Sequence, residues 1–410
     1  MSASWQDAMS RALYGPGGFF VAGTGPADHF RTSVHASPAF ATALLRLISE
    51  VDAALGHPPR LDVVDVGAGR GELLHSLLRL VAAEPAVGVA VRASTASARP
   101  LGEEPPSGTV RPSLAERVRF TAVEYADRPK NLPEEISWTA QIPTKITGVL
   151  LATEWLDNVP LDIAVQTEDG WRYLLVDPES GTETTGDPVS PADLEWLTKW
   201  WPSAASPVSA DSDPRLAVTW ADATSGSESG SRAARPAQGS SLTARSRPGC
   251  PETPHPDHRA EIGRTRDEAW ASAVRKIERG LAVAIDYGHL RDSRPVHGTL
   301  TGYRAGRQVP PVPDGSSDVT AHVAMDSVAS AGAAVARCAY SLVSQREALR
   351  ALGADGGRPP LSLAGTDPAG YVRALAAASA VAELTDPAGL GGHLWLRQPV
   401  GIPLGPAVAR

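Results

Sequence analysis

Apolar positions along the chain fall into short continuous runs and longer helical stripes, and the two kinds alternate. Trp5, Ala8, Met9, Ala12 and Leu13 share one helical face, and Gly15-Pro-Gly-Gly18 stops that helix. Ser37 and Pro38 fit the N-cap and first helical position of a second helix. Its face is Phe40, Leu44, Leu45, Leu47, Ile48, Val51 and Leu55, ending at Gly56-His-Pro-Pro59. Leu61, Val63, Val64 and Val66 then read as a buried strand, and Leu73, Leu74, Leu77, Leu78 and Val81 as the helix after it. Further strands are expected at Val118 to Val123, Gly148 to Thr153, Leu281 to Asp286 and Leu394 to Gln398. Helices are expected around Trp270, Val274 and Ile277 and over 371–383. Leu161 to Val165 and Trp171 to Val176 flank Glu168-Asp-Gly170, a hairpin signal.

This alternation predicts an α/β fold: a doubly wound, mostly parallel, Rossmann-like sheet with added helical and hairpin elements. Residues 1–60 are expected to form an N-terminal helical cap or substrate element, and 61–202 the first part of the core. Residues 260–400 would complete the core and carry substrate-pocket elements. The stretch 82–117 reads as an expanded connection. Between 203 and 259 the composition collapses into Ser, Pro, Ala, Gly and Arg. A disordered insertion is expected there, because so few apolar groups cannot offset ordering entropy, although Leu216 to Trp220 could be a strand.

Composition narrows the classes. A net charge of −8 argues against non-specific binding to nucleic acid or to anionic membrane. Lysine stands only at 130, 145, 199 and 276, and the abundance of Arg, Ala, Gly and Pro suggests a high-GC, bacterial genome. Cys250 and Cys338 form no metal-ligand pattern, so no metal site and a reducing cytoplasm are expected. No secretory signal and no bilayer-spanning run of about 20 apolar residues is visible.

Candidate chemistry centres on Asp65-Val-Gly-Ala-Gly-Arg-Gly71. Gly67, Gly69 and Gly71 permit a tight turn against which a ligand can lie, and free amides at the helix start could meet a carboxylate. A dinucleotide fingerprint needs G-x-G-x-x-G, but here the third place after Gly69 is Glu72. Asp65, two residues before the first glycine, suits a cationic amine, which S-adenosylmethionine carries. A strand–helix turn with no ligand is the competing reading. Acids recur after predicted strands: Glu124, Glu154, Asp157 and Asp286. Ligands of open α/β sheets bind at that edge. Glu124 stands where an acid takes ribose hydroxyls, provided that 82–117 is an insertion. Glu154, Trp155 and Asp157 could hold a cationic substrate and flank an adenine. His322 lies in a compact polar tract, Asp318-Val-Thr-Ala-His322. Hydrolase, protease and kinase motifs are missing.

The ordered blocks resemble the MidA-like branch of class I S-adenosylmethionine-dependent methyltransferases. They are Tyr14-Gly-Pro-Gly-Gly-Phe-Phe20, Phe30-Arg-Thr-Ser33 with Ser37-Pro38, the glycine turn, and Thr153-Glu-Trp-Leu-Asp-Asn-Val-Pro160. Ile285-Asp-Tyr-Gly-His289, Asp318-Val-Thr-Ala-His-Val323 and Gly391-Gly-His-Leu-Trp-Leu-Arg-Gln398 follow. The resemblance implies an S-adenosyl-L-methionine cofactor and a methyl acceptor. The family's mitochondrial relatives methylate arginine on a respiratory complex I subunit and assist that complex's assembly. By position Asp65, Gly67, Ala68, Gly69, Gly71, Glu124, Glu154 and Trp155 would hold the cofactor. Glu154 would lead catalysis, with Asp157, Asp318 and His322 as second choices. Two departures stand out: Thr153 replaces the usual Asn, and Ala324 replaces an acid, with Asp326 displaced by two. A non-catalytic assembly protein that keeps the cofactor fold is the alternative, and a nicotinamide oxidoreductase ranks last.

Overall fold

The structure is a computed structural model that describes residues 2–22, 32–83, 112–202, 258–354 and 356–403. Its centre is a seven-stranded sheet. The strands are β1 (Leu61–Val66), β2 (Val118–Val123), β3 (Ile136–Thr139), β4 (Ile146–Thr153), β5 (Ile277–Asp286), β6 (Ser341–Ser344) and β7 (Leu394–Val400). They lie in the order β3-β2-β1-β4-β5-β7-β6. Neighbours from β3 through β5 pair in parallel, whereas β7 runs antiparallel to both β5 and β6. The sheet is therefore mixed but mostly parallel. Gly148 and Gly280 mark its tightest approach: a Cβ on Gly148 would lie 2.0 Å from the Asp62 carbonyl oxygen.

Strand residues alternate between two apolar layers because successive side chains point to opposite faces. Val63, Val149, Leu151 and Val283 share one core with the helices Pro38–Ala54 and Glu72–Ala83, whereas Val64, Leu150, Ala152 and Ala282 share another with the helices Arg264–Val274 and Met325–Ala336. Among the helices are, in chain order, α1 (Trp5–Tyr14), α2 (Ser33–Ala36), α3 (Pro38–Ala54), α4 (Glu72–Ala83), α5 (Arg264–Val274), α6 (Met325–Ala336), α7 (Gln345–Ala351) and α8 (Pro368–Leu384). Ser37 caps α3 by accepting the Ala39 amide hydrogen bond at 3.1 Å. Leu44, Leu47, Ile48 and Val51 are fully buried beneath it. Each such side chain contributes about 1.5–3 kcal/mol.

A second sheet sits beside the first. Asp162–Thr167 and Gly170–Val176 form the expected hairpin, flanked by Ala3–Ser4, Glu183–Pro188 and Arg259–Ile262. Helix α1 packs on it through Trp5, Met9 and Leu13. A three-stranded sheet of Thr301–Arg304, Arg307–Val309 and Asp318–Thr320 completes the pocket wall.

The structure revises several boundaries. Regular structure resumes at Arg259 rather than Glu261, because that strand pairs with Asp162–Thr167. Ile277 opens β5 and leaves α5, which ends at Val274. Helix α8 starts at Pro368 because Asp367 accepts the Gly370 amide at 2.8 Å. The expectations for 203–257, the possible strand at 216–220 included, and for 84–111 lie outside the described residues.

Candidate active site

A cavity of about 1410 Å³ opens at the C-terminal ends of β1, β2 and β4. Sheet order reverses here, since the chain adds β2 and β3 on one side of β1 and β4 and β5 on the other. Strands that diverge to either side leave a crevice between their following loops. Asp65, Gly67, Ala68, Gly69, Glu124, Glu154, Trp155, Asp157, Asp318 and His322 all line it. Gly71 lies just behind, where an added Cβ would strike Leu132 at 2.7 Å.

All three glycines of the turn have positive φ: 72° at Gly67, 58° at Gly69 and 83° at Gly71. L-residues avoid that region, so the turn requires glycine. A Cβ on Gly67 would also meet Trp155 Cδ1 at 3.1 Å. The turn's amides are already used. Gly67 and Ala68 donate to the Val123 carbonyl, Gly71 to Ala68, Gly69 to Glu124 Oε2 at 3.0 Å, and Arg70 to Glu72 Oε2 at 3.0 Å. Two of the turn's own amides are thus engaged by the protein's carboxylates, ahead of the helix start at Glu72. The turn also gathers acid groups. Asp65 is buried beneath it with no hydrogen-bond donor to its carboxylate among the described residues, and burial, then Glu72 and Glu124, pushes it up to about 8. A cation placed there would relieve the group.

Past β4 the backbone turns sharply. Glu154 has φ 52°, a left-handed conformation costing about 1–3 kcal/mol in a non-glycine residue. Its amide donates to the Ile285 carbonyl at 2.8 Å, and its Oε1 accepts from the Ser33 amide at 3.2 Å. Burial, then Asp157, pushes Glu154 up to about 7. Asp157 is 2% exposed and accepts hydrogen bonds from the Tyr287 hydroxyl and from Thr320 Oγ1, the latter at 2.8 Å. Asp318 accepts from Asn158 Nδ2 at 2.7 Å, and burial holds its carboxyl well above the usual range. The His322 ring lines the cavity, 5.1 Å from that of Tyr287, and burial lowers its pKa.

Other residues fall differently. Asp286, an acid at a strand end, turns inward and accepts the Leu156 and Asp157 amides at 3.0 and 3.3 Å, outside the cavity lining. It braces the turn that carries Asp157. Asp326 does not replace the acid missing at Ala324: it pairs with Arg294 at 2.5 Å and also lies outside the lining. Thr153 Oγ1 is buried without a partner.

Sequence reasoning missed Tyr14, Tyr287, His393 and Arg266. Tyr287 and His393 line the cavity with ring centroids 5.6 Å apart. Arg266, 1% exposed, donates to the carbonyls of Asp157, Val159, Ala321 and His322. It ties the Glu154–Asp157 turn to the segment bearing Asp318 and His322. Tyr287 and His393 stood within the resembling blocks, but nothing in their spacing marked them; Arg266 had no signal.

A mostly parallel α/β sheet with an acidic, glycine-cradled cavity at its switch point defines an S-adenosyl-L-methionine-dependent methyltransferase. Its donor set fits that cofactor, whose amine and sulfonium are both cationic. The chain belongs to the family described as "Putative S-adenosyl-L-methionine-dependent methyltransferase", whose family model matches residues 43–342. Two solved structures share the fold. One is a COG1565 superfamily member and "likely methyl transferase" from Burkholderia thailandensis bound to S-adenosyl-homocysteine; it is 20% identical, with TM-score 0.66 over 99% of this chain and 90% of that one. The other, an uncharacterized COG1565 superfamily protein from the same organism, is 21% identical, with TM-score 0.64 over 100% and 90%. No curated protein matches.

Proposed function

We propose that this enzyme methylates the guanidinium of an arginine on a protein, as a MidA-like class I enzyme. The carrying observation is that Glu154, Asp157 and Asp318 all line the cavity, close enough to raise one another's pKa. Guanidinium keeps its proton in water and shares its charge over three nitrogens. Carboxylates fixed around it would orient it and hold charge away from the attacking nitrogen. Glu154 is the leading candidate for that contact, since Asp157 is engaged with Tyr287 and Thr320. His322, which lines the same cavity, is a second-choice catalytic group beside Asp157 and Asp318. At about 1410 Å³ the cavity also exceeds the roughly 300–1,000 Å³ typical of one small ligand, leaving room for an acceptor side chain.

When bound, S-adenosylmethionine supplies a methyl group on a sulfonium for in-line displacement. The side chains contribute orientation and exclusion of water, which make a near-attack geometry frequent. Asp65, Gly67, Ala68, Gly69, Gly71, Glu124 and Trp155 are assigned to cofactor binding on their place around the turn. Incubation of the purified protein with methyl-labelled cofactor and a cell lysate, followed by mass spectrometry, tests the acceptor. Label on arginine is expected. Label on lysine or a small molecule would overturn the arginine assignment, and cofactor binding with no transfer would favour the assembly-protein reading suggested by Thr153 and Ala324.

A further inference from the structure

The short helix α2 touches the acid that follows the glycine turn and the acid that follows β4. On one side His35 Nε2 lies 3.5 Å from Glu72 Oε1, at the start of α4. On the other the Ser33 amide donates to Glu154 Oε1 at 3.2 Å. Thr32 Oγ1 bonds His35 Nδ1 at 2.7 Å, which orients the ring. Ser33 is fully buried, and its hydroxyl bonds the Gln345 amide group through both Oε1 and Nε2, at 3.2 and 3.1 Å. Gln345, itself 0% exposed, also accepts from Trp395 Nε1 and donates to the Leu384 carbonyl, each at 3.1 Å. Every amide position of that side chain is therefore spent on holding Ser33 to β7 and α8. Thr32, His35, Glu72 and Glu154 all face the cavity.

We propose that the segment Thr32–Ala36 is a positioning strap at the edge of the cofactor turn, with His35 fixing Glu72 beside the methyl donor, the Ser33 amide fixing Glu154 towards the acceptor, and Gln345 as the buried peg. Free glutamates would each lose side-chain freedom when cofactor and acceptor bind; the strap removes that cost beforehand. The Glu72 arm depends only on the cofactor, whereas the Glu154 arm rests on the acceptor contact proposed above.

Calorimetric titration with S-adenosylmethionine and S-adenosylhomocysteine tests it. Gln345→Ala and His35→Ala are each expected to weaken both ligands by about tenfold and by equal factors, with faster release of S-adenosylhomocysteine. Glu72→Gln in the His35→Ala background should add no further loss, since the pair acts as one unit. Affinities within twofold of the parent protein would overturn the strap. So would tighter S-adenosylmethionine with unchanged S-adenosylhomocysteine, because His35 would then act only as a charge. Additive losses in the double variant would also refute it. His35 is partly exposed, so its variants decide the matter even if Gln345→Ala fails to fold.

Discussion

Glu124 Oε2 accepts a hydrogen bond from the Gly69 amide at 3.0 Å, although the two residues stand 55 positions apart. The acid at the end of β2 thus closes the turn at the end of β1. Its Oε1 accepts the Tyr125 amide at 2.7 Å, so the carboxylate is held from two sides. Glu124→Ala should weaken S-adenosylhomocysteine by about ten- to a hundredfold, the scale of a charge-assisted bond. Isothermal titration gives the number, and unchanged affinity would remove Glu124 from the cofactor site.

Gly67→Val should abolish cofactor binding. Valine would have to adopt φ 72° and push its side chain into Trp155. Circular dichroism and a melt would establish that the variant is folded, so that retained affinity would refute the placement of the turn.

Glu154→Gln should lower methyl transfer by about 10²-fold or more while leaving cofactor affinity within a few-fold. Glutamine still accepts the Ser33 amide through Oε1, so the local geometry survives. Single-turnover assays with labelled cofactor separate the two effects, and undiminished transfer would sink Glu154 as the acceptor contact.

Cofactor binding should release protons near pH 7. Burial holds Asp65 at about 8 and Glu154 at about 7, so both are partly protonated there. A cation bound beside them lowers both values and expels protons. The folded protein carries the raised pKa, so these groups favour folding below the ordinary carboxylate value and lose that contribution as pH rises towards 8. Cofactor affinity should accordingly increase between pH 6 and 8. Titrations in two buffers of different ionisation enthalpy count the protons; Asp65→Asn should remove part of the release, and an unaltered count would contradict the assignment.

Arg266→Met should destabilise the fold by about 3–5 kcal/mol. It takes the guanidinium away from four carbonyl groups, two of them in buried bonds, and leaves Asp157 and Asp286 without their nearby cation. Urea denaturation measures the loss, and a change below about 1 kcal/mol would show that other groups take over the carbonyls.

Much of the α/β frame was legible in the chain. Val63 and Val64 point to opposite apolar layers, and the stripe at Leu73, Leu74 and Leu77 fixes the inner face of α4. Such patterns are local, so periodicity reports them directly. The short strands β3 and β6 escaped notice: four residues each at or near an edge, they owe their form to pairing with β2 and β7. The second sheet was visible only as one hairpin, because its other strands come from residues 3–4, 183–188 and 259–262.

By itself the sequence determined the strand–turn–helix unit with its glycines and the acids at successive strand ends, since these follow from side-chain type and spacing. Which acids face a ligand was decided only in three dimensions. Asp286 and Asp157 are both strand-end acids, yet one braces backbone amides inside the fold and the other lines the cavity. Asp286 is the last residue of β5 itself, whereas Asp157 lies beyond β4 on the short turn Leu156–Asn158. Ser33 and Gln345 likewise meet across 312 residues, a contact with no local trace. Electrostatic environment and long-range hydrogen bonds depend on distances through space, which the order of residues along the chain does not record.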